Sequence, residues 1–117
     1  RSSMAPLLVF RDGRLEAALG SPGGARIIGY VVQASVALLD WGMDAQAAAA
    51  LPHVGPLNAQ LELEQGTAAA GLLPALAARG VPVEAREMNS GLNIIRILRG
   101  RVTAGTDPRR DGAALVE

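Results

Sequence analysis

Apolar and polar positions alternate near the start of the chain in a pattern that predicts a hairpin followed by a helix. Two short apolar runs, Leu7 to Phe10 and Leu15 to Leu19, flank the dipeptide Asp12-Gly13. Asp-Gly between apolar runs indicates a tight hairpin, because glycine tolerates the positive φ that such a turn requires. From Ala25 to Asp40 the apolar residues recur at helical spacing with few charges, and we expect a largely buried helix there.

A shorter helix and an alternating strand are predicted in the middle of the chain. The alanine-rich segment Ala45 to Ala50 follows Asp44, which suits the N-cap position of a helix, and Pro52 would stop that helix. We expect a loop from Pro52 to Asn58. The alternation in Leu61-Glu62-Leu63-Glu64 then predicts a half-exposed strand.

The last part of the chain predicts a further helix and more strands. Thr67 is placed to cap a helix over Ala68 to Arg79, and Pro74 either kinks this helix or marks its true start. Further strands are predicted at Val81 to Met88, Asn93 to Leu98 and Val102 to Ala104, and the last two flank Arg99-Gly100 as a second hairpin. Together the elements predict an α+β fold in which helices pack on a mostly antiparallel sheet.

Composition narrows the chemistry that the chain can carry. The 117 residues fit one domain and hold 11 basic and 11 acidic side chains, so the net charge of zero does not favour a nucleic acid or an anionic membrane as partner. Every basic residue is Arg, and Cys is absent, which excludes lysine Schiff bases, thiolate nucleophiles and Cys-ligated metals. We expect no metal and no cofactor. The longest apolar run, Ile27 to Leu39, is shorter than the roughly 20 residues of a membrane span.

The segment Gly20-Ser21-Pro22-Gly23-Gly24 is the first candidate for chemistry, because it lies between a predicted strand and a predicted helix. Glycine lets the backbone N–H groups of Gly23 and Gly24 approach a ligand closely, and the start of a helix favours negative charge. Such a turn can bind a phosphate, or hold the oxyanion of an acyl-transfer intermediate, or connect strand and helix without any ligand. It matches neither the P-loop nor the Rossmann pattern.

Two other polar motifs allow both a functional and a structural interpretation. The adjacent hydroxyls of Ser2 and Ser3 can donate hydrogen bonds to a carboxylate, or they form only a frayed polar terminus. The segment Asp107-Pro108-Arg109-Arg110-Asp111-Gly112 is expected to pin the end of the chain through Arg–carboxylate pairing. The alternative for this segment is an Arg site for an anionic substrate.

Three ionisable residues in the middle of the chain are weaker candidates. His53 is the only histidine and could be a general base, but no nucleophile motif lies near it in sequence, so a structural or solvent-exposed role is favoured. Glu62 and Glu64 share one face of the predicted strand and could be metal ligands or an acid pair. A solvated strand face is the favoured interpretation.

Several of these motifs occur together in an order that resembles a known family. They are Ser2-Ser3-Met4-Ala5-Pro6, Leu19-Gly20-Ser21-Pro22-Gly23-Gly24-Ala25-Arg26-Ile27-Ile28, Leu39-Asp40-Trp41-Gly42-Met43, Met88-Asn89-Ser90-Gly91-Leu92 and Asp107-Pro108-Arg109-Arg110-Asp111-Gly112. The whole chain, residues 1–117, resembles the C-terminal part of the small subunit of the γ-glutamyltransferases (γ-glutamyltranspeptidases). The resemblance implies part of the αββα sandwich of the N-terminal-nucleophile hydrolases.

The resemblance also implies an activity and roles for four residues. A precursor would cleave itself into two subunits, and the new N-terminal Thr of the small subunit would take the γ-glutamyl group from glutathione and related amides. The group would then pass to water, an amino acid or a peptide. In this scheme Ser2 and Ser3 bind the α-carboxylate of the glutamyl group, and Gly23 and Gly24 supply the oxyanion hole.

The chain departs from the family pattern in ways that shape the expectation. The nucleophilic Thr is expected upstream of Arg1, and the expected partners are the large subunit and the remainder of the small subunit. We therefore expect the chain alone to be inactive, and the family suggests a periplasmic or extracellular location. Where many members have Arg-x-His-His, this chain has Pro52-His53-Val54-Gly55, so no role is transferred to His53. The alternatives are a truncated, non-catalytic module that packs on a partner and a relative of the acylases that act on β-lactam side chains.

Overall fold

A computed structural model describes residues 2–116 and shows an α+β chain of two compact units. The strands are β1 (Leu7–Arg11), β2 (Arg14–Gly20), β3 (Val54–Leu57), β4 (Gln60–Glu64), β5 (Val83–Arg86), β6 (Asn93–Leu98) and β7 (Arg101–Thr106). The helices are α1 (Ile27–Leu39), α2 (Ala45–Ala50) and α3 (Leu73–Ala78). Short 3-10 segments, Gly24–Arg26 and Ala68–Leu72, lead into α1 and α3. The first unit runs up to residue 51 and resumes at residue 90, and the second comprises residues 52–89.

The first unit is built on a four-stranded sheet in the order β1-β2-β6-β7, in which every neighbouring pair is antiparallel. Both predicted hairpins are confirmed. Asp12 and Gly13 have φ values of 50° and 74°, and Arg99 and Gly100 have values of 52° and 78°. Two consecutive residues in the left-handed region match the right-handed twist of the flanking strands, which explains why these dipeptides close the hairpins.

Helices α1 and α2 cover one face of this sheet and form its core. The buried cluster combines residues from both helices with residues from the sheet and the segment before β6: Leu19, Ile27, Val31, Ala34, Ala37, Leu38, Ala45, Ala48, Ala49, Leu92 and Ile94. The predicted cap of α2 is confirmed, since the Asp44 side chain accepts a hydrogen bond from Ala47 N–H at 2.8 Å. Small alanine side chains let α2 lie close to β6 and β7.

The prediction of a largely buried α1 is correct for one side of the helix only. Ile28 and Val32 are 55% and 57% exposed, although Tyr30 and Val31 between them are buried. The far face of the sheet is also apolar and open: Leu8, Phe10 and Ile95 alternate with core residues and are exposed. The apolar pattern of the sequence therefore includes residues on α1 and on the far sheet face that no element of this unit covers.

The second unit is a three-stranded sheet in the order β3-β4-β5. Strand β3 pairs antiparallel with β4, and β5 pairs parallel with β4. The expected loop from Pro52 to Asn58 is therefore wrong, because Val54–Leu57 is a strand that pairs with β4. Asn58, with φ 56°, closes the hairpin between them, as asparagine tolerates the left-handed conformation.

The helix of the second unit shows whether Pro74 kinks the helix or marks its start, which the sequence left open. The Thr67 side chain caps the 3-10 segment, accepting from Ala69 N–H at 3.2 Å. Helix α3 begins at Leu73 with Pro74 in its first turn, so Pro74 marks the start of the helix rather than a kink. The following strand, β5, is shorter than predicted and spans Val83–Arg86.

Substitution of Gly105 tests how closely α2 and β7 are packed. A Cβ atom at Gly105 would lie 2.3 Å from Ala45 O and 2.6 Å from Gln46 N, so Gly105→Ala must push backbone apart. We expect a loss of about 1–3 kcal/mol in the free energy of unfolding, as for other overpacked cores. Urea unfolding of the protein that contains this chain measures it.

Gly29→Ala is the matched control for Gly105→Ala. Gly29 lies inside α1 with nothing within 4 Å of an added Cβ. Alanine there should raise the free energy of unfolding by about 0.5–1 kcal/mol, because glycine is the poorer helix former. Equal urea midpoints for the two variants would contradict the close packing of β7 on α2.

Candidate active site

The glycine turn leaves the end of β2 and enters α1 through a 3-10 segment. Gly23 and Gly24 have φ values of 142° and 60°, which side chains with a Cβ rarely adopt. Gly23 has a second reason to be glycine, since an added Cβ would lie 2.6 Å from a ring carbon of Tyr30. Nothing lies within 4 Å of a Cβ at Gly24, so there only the backbone conformation favours glycine.

The two glycine N–H groups make no hydrogen bond within the part of the chain that the structure describes. Among residues 2–116, neither the Gly23 N–H nor the Gly24 N–H donates a hydrogen bond to a protein group. Gly24 is exposed, and both residues lie at the N-terminal side of α1, where the helix dipole is positive. Two adjacent unpaired donors beside a helix N-terminus can bind an anion or a developing oxyanion.

Ser2 and Ser3 lie at the same end of the sheet as the glycine turn. The first strand begins at Leu7, which pairs with Leu19 near the end of β2, so residues before β1 and residues after β2 leave the hairpin on one side. Ser2 is exposed and its Oγ accepts a hydrogen bond from Met4 N–H at 3.2 Å, while Ser3 is half-buried. The topology thus brings both sequence candidates to one end of the sheet.

Asp107 is a deeply buried carboxylate of the first unit, with only 3% of its surface exposed. It accepts hydrogen bonds from Ser90 Oγ, from Leu92 N–H at 3.0 Å, and from the backbone and side chain of Arg109 at 3.0 and 2.9 Å. Burial alone raises the pKa of a carboxyl group, but these hydrogen bonds outweigh it and hold the pKa of Asp107 below its ordinary value. The Arg109 contact agrees with the pairing predicted from the sequence, whereas the hydrogen bond from Ser90 becomes visible only in the structure.

The two arginines of the Asp107–Gly112 segment are used as structural anchors. Arg109 also donates to the carbonyl oxygens of Ala49 at 3.3 Å and Leu51 at 3.0 Å, at the end of α2. Arg110 Nε donates to the Ser90 carbonyl at 2.8 Å. The predicted Arg–carboxylate pairing that pins this segment is confirmed, and these contacts do not favour the alternative of an arginine site for a substrate.

His53, Glu62 and Glu64 of the second unit are buried, which corrects the predicted solvated strand face. Glu62 and Glu64 are 3% and 6% exposed, and His53 is 2% exposed. Glu64 Oε2 accepts from His53 N–H at 2.8 Å, and Glu62 pairs with Arg86 at 3.4 Å. The face of β4 that carries Glu62 and Glu64 is therefore covered and not solvated. Of the two roles favoured for His53, this burial contradicts the solvent-exposed one and agrees with the structural one.

The described residues were also considered for a metal-binding cluster and for a membrane-spanning helix. Residues 2–116 contain no group of three or more His, Cys, Asp or Glu side chains arranged to hold a metal ion. No described helix combines the length and the apolar character that crossing a membrane requires.

The chain is similar in sequence to a known protein family and to curated proteins. The family model for gamma-glutamyltranspeptidase matches residues 1–117. The chain is 37% identical over 113 residues to the Acylase ACY 1 proenzyme of Pseudomonas sp. strain SE83, covering 95% of this chain and 20% of that protein. It is 36% identical over 111 residues to the glutathione hydrolase proenzyme of Escherichia coli K12, covering 92% and 19%. It thus spans about a fifth of the length of these curated relatives.

A solved structure shows the same fold. The chain superposes on a variant of Helicobacter pylori gamma-glutamyltranspeptidase with a TM-score of 0.85 and 28% identity, covering 94% of this chain and 62% of that one. The α+β assignment with mostly antiparallel sheets and packed helices is confirmed by this likeness and by the elements described above.

Replacement of Asp107 by Asn tests the buried carboxylate. The variant leaves the Arg109 guanidinium, which is 13% exposed, without its anionic partner. We expect the free energy of unfolding at neutral pH to fall by about 3 kcal/mol, near the lower end for a broken buried pair. Denaturant unfolding of the protein that contains this chain, repeated across a range of pH, measures the loss.

The pH dependence of that loss follows from the lowered pKa. The contribution of ionised Asp107 is present above the pKa of an unfolded aspartate, about 3.9, and is lost as the pH falls through the lower folded-state pKa. The gap between wild type and Asp107→Asn should therefore shrink in strong acid. Asp111→Asn removes the same charge from an exposed position of the same segment and should cost less than about 0.5 kcal/mol. Equal losses in the two variants would contradict the role of Asp107.

Proposed function

Because the chain belongs to the γ-glutamyltranspeptidase family, we propose that residues 1–117 are the C-terminal segment of the small subunit of a γ-glutamyl acyltransferase. The complete protein would transfer the γ-glutamyl group of glutathione and related amides to water, amino acids or peptides. The observation that carries this proposal is the glycine turn, where the N–H groups of Gly23 and Gly24 donate to no protein group among the described residues.

The turn fits the charge that develops during acyl transfer. A Thr hydroxyl at the new N-terminus of the small subunit, outside this chain, would attack the γ-carbonyl carbon and turn its oxygen into an oxyanion. Two N–H donors at the positive end of α1 would stabilise that oxyanion more than the neutral carbonyl, which lowers the barrier. Collapse would break the amide bond, release the amine with the proton that the Thr hydroxyl gave up, and leave an acyl-Thr ester. Water or an amine would then attack that ester and regenerate the hydroxyl.

Ser2 and Ser3 would fix the other end of the glutamyl group. Their hydroxyls can each donate a hydrogen bond to an α-carboxylate, and their segment leaves the sheet at the same end as the glycine turn. A glutamyl group held by its α-carboxylate presents its γ-carbonyl several bonds away. The serine pair would thus bind the substrate, and the glycine turn would stabilise the transition state.

The exposed apolar surface supports a role for partner subunits. Leu8 and Phe10 on the sheet and Ile28 and Val32 on α1 are each more than half exposed. Single exposed apolar side chains are common, but a contiguous apolar patch on a sheet or helix face marks an interaction surface. We propose that the remainder of the small subunit and the large subunit cover them, and that the chain alone is inactive. A truncated module that packs on a partner without catalysis would expose the same surface.

A second candidate function is amide hydrolysis of an acylated β-lactam. The observation that favours it is the identity of 37% to an acylase proenzyme, which equals the likeness to the glutathione hydrolase within a percentage point. Both reactions pass through a tetrahedral oxyanion, so the glycine turn serves either. The substrate class therefore has to be decided by assay.

A direct substrate comparison distinguishes the two functions. The complete two-subunit protein is assayed with a γ-glutamyl anilide and with an N-acyl β-lactam, and we expect release of the aniline to dominate. The isolated chain serves as the control and should release neither product. Dominant cleavage of the β-lactam amide would replace the first function by the second, and cleavage of neither would contradict both.

Gly24→Pro tests the oxyanion donors in the complete protein. Proline has no N–H, and we expect kcat to fall by roughly 10²–10³, the usual loss for one oxyanion donor. Proline also forbids the φ of 60° found at Gly24, so the loss needs a control for shape. Gly24→Asn keeps the N–H, tolerates positive φ and meets nothing within 4 Å of its Cβ, so it should retain most of the activity. Equal losses in both variants would exclude the donor role.

A further inference from the structure

The direction of each glycine N–H is set by the carbonyl group in the same peptide unit. A trans peptide is planar, so its C=O and N–H point in opposite directions. The Gly23 N–H belongs to the unit whose carbonyl is that of Pro22, and the Gly24 N–H to the unit whose carbonyl is that of Gly23. Any group that holds the Pro22 carbonyl therefore also aims the Gly23 N–H.

One side chain holds the Pro22 carbonyl. Ser21 Oγ donates a hydrogen bond to Pro22 O at 2.7 Å and accepts one from Gly91 N–H at 3.0 Å. The hydroxyl thus bridges the turn to a segment that lies 70 residues further along the chain. The second peptide unit is held differently, by Arg26 N–H donating to Gly23 O at 3.3 Å. Ser21 therefore acts on the Gly23 amide alone.

The support behind Ser21 is rigid. Gly91 lies between Ser90, whose Oγ donates to Asp107, and Leu92, whose N–H donates to the same carboxylate. Gly91 is buried, and a Cβ there would lie 2.8 Å from the Pro22 ring. The turn is therefore held by a hydrogen bond through Ser21 and by the Pro22 ring, which fills the space that a side chain at Gly91 would need.

We propose that Ser21 is a positioning residue that aims the Gly23 N–H at the oxyanion, an inference that rests on the function proposed above. Ser21 does not touch the substrate in this scheme. Its hydroxyl transmits the fixed position of Gly91 to the Pro22 carbonyl and thereby to the Gly23 amide. Without the hydroxyl, the Pro22–Gly23 peptide unit can rotate and the donor loses its alignment in the transition state.

The first test is Ser21→Ala in the complete two-subunit protein, assayed on whichever amide it hydrolyses. We expect kcat to fall about tenfold with KM within about twofold of wild type, since a misaimed donor costs less than the 10²–10³ of a missing one. Ser21→Thr keeps the hydroxyl and should restore most of kcat. Ser21→Cys keeps the size of the side chain but donates weakly, and its kcat should lie between those of wild type and Ser21→Ala.

Ser35→Ala is the matched control. Ser35 Oγ donates to Val31 O at 2.7 Å within α1, so this variant also removes a serine hydroxyl bonded to a backbone carbonyl, but away from the turn. Its kcat and KM should both equal those of wild type. A loss in Ser35→Ala as large as that in Ser21→Ala would show a general effect on stability and would overturn the positioning role.

Inhibitor binding separates positioning from a merely structural effect. A boronic acid analogue of the substrate forms a tetrahedral anion that uses the oxyanion donors, whereas free glutamate contains no such oxyanion. In Ser21→Ala the inhibition constant of the boronate should rise about tenfold, and that of glutamate should not change, because only the tetrahedral anion needs the aimed amide. Equal weakening of both ligands would contradict the proposal.

The role of Ser21 and the proposed function can fail independently in these experiments. If Gly24→Pro lowers kcat but Ser21→Ala leaves kcat and boronate binding unchanged, the oxyanion turn stands and the role of Ser21 is wrong. If the complete protein hydrolyses neither amide, the proposed function and the role of Ser21 are both overturned.

Discussion

The carboxylate of Asp107 joins parts of the first unit that are far apart in sequence. Its hydrogen bonds hold the segment before β6 through Ser90 and Leu92, and its pairing with Arg109 reaches the end of α2. Burying a carboxylate is unfavourable unless donors surround it, and here hydroxyl, amide and guanidinium groups do so. The glycine turn is tied to this arrangement, since Ser21 accepts a hydrogen bond from the N–H of Gly91, which lies between two of the residues that Asp107 holds.

Local signals in the sequence were sufficient for much of the fold. Asp12-Gly13 and the Asp44 cap determine their structures through neighbouring backbone, so the first hairpin and α2 could be predicted from a few residues. Strand β3 could not, because Gly55 and Pro56 suppress the usual strand signal and only pairing with β4 makes them extended. The burial of Glu62 and Glu64 was missed for a related reason. Alternation predicts which residues share a face, but what covers that face depends on the tertiary structure.

Some residues of the candidate site could likewise be predicted from the sequence, and others could not. Gly23 and Gly24 could be found from the sequence because two glycines before a helix are unusual and their positive φ values need glycine. The adjacent hydroxyls of Ser2 and Ser3 left a structural and a functional interpretation open, and only the family resemblance favoured the functional one. The bridge from Ser21 to Gly91 joins residues 70 positions apart, and no local rule relates them. The orientation of a donor group therefore became visible only in three dimensions.

Contact between Pro22 and Gly91 has a consequence for how this chain can vary. The Pro22 ring occupies the space that a side chain at position 91 would need, and Arg110 closes it from another direction. The two positions therefore do not change independently. A larger residue at 91 becomes compatible with the turn only after a smaller one has replaced Pro22 and Arg110 has moved. Substitutions at these positions are therefore tolerated only in one order, with the change at Pro22 before the change at Gly91.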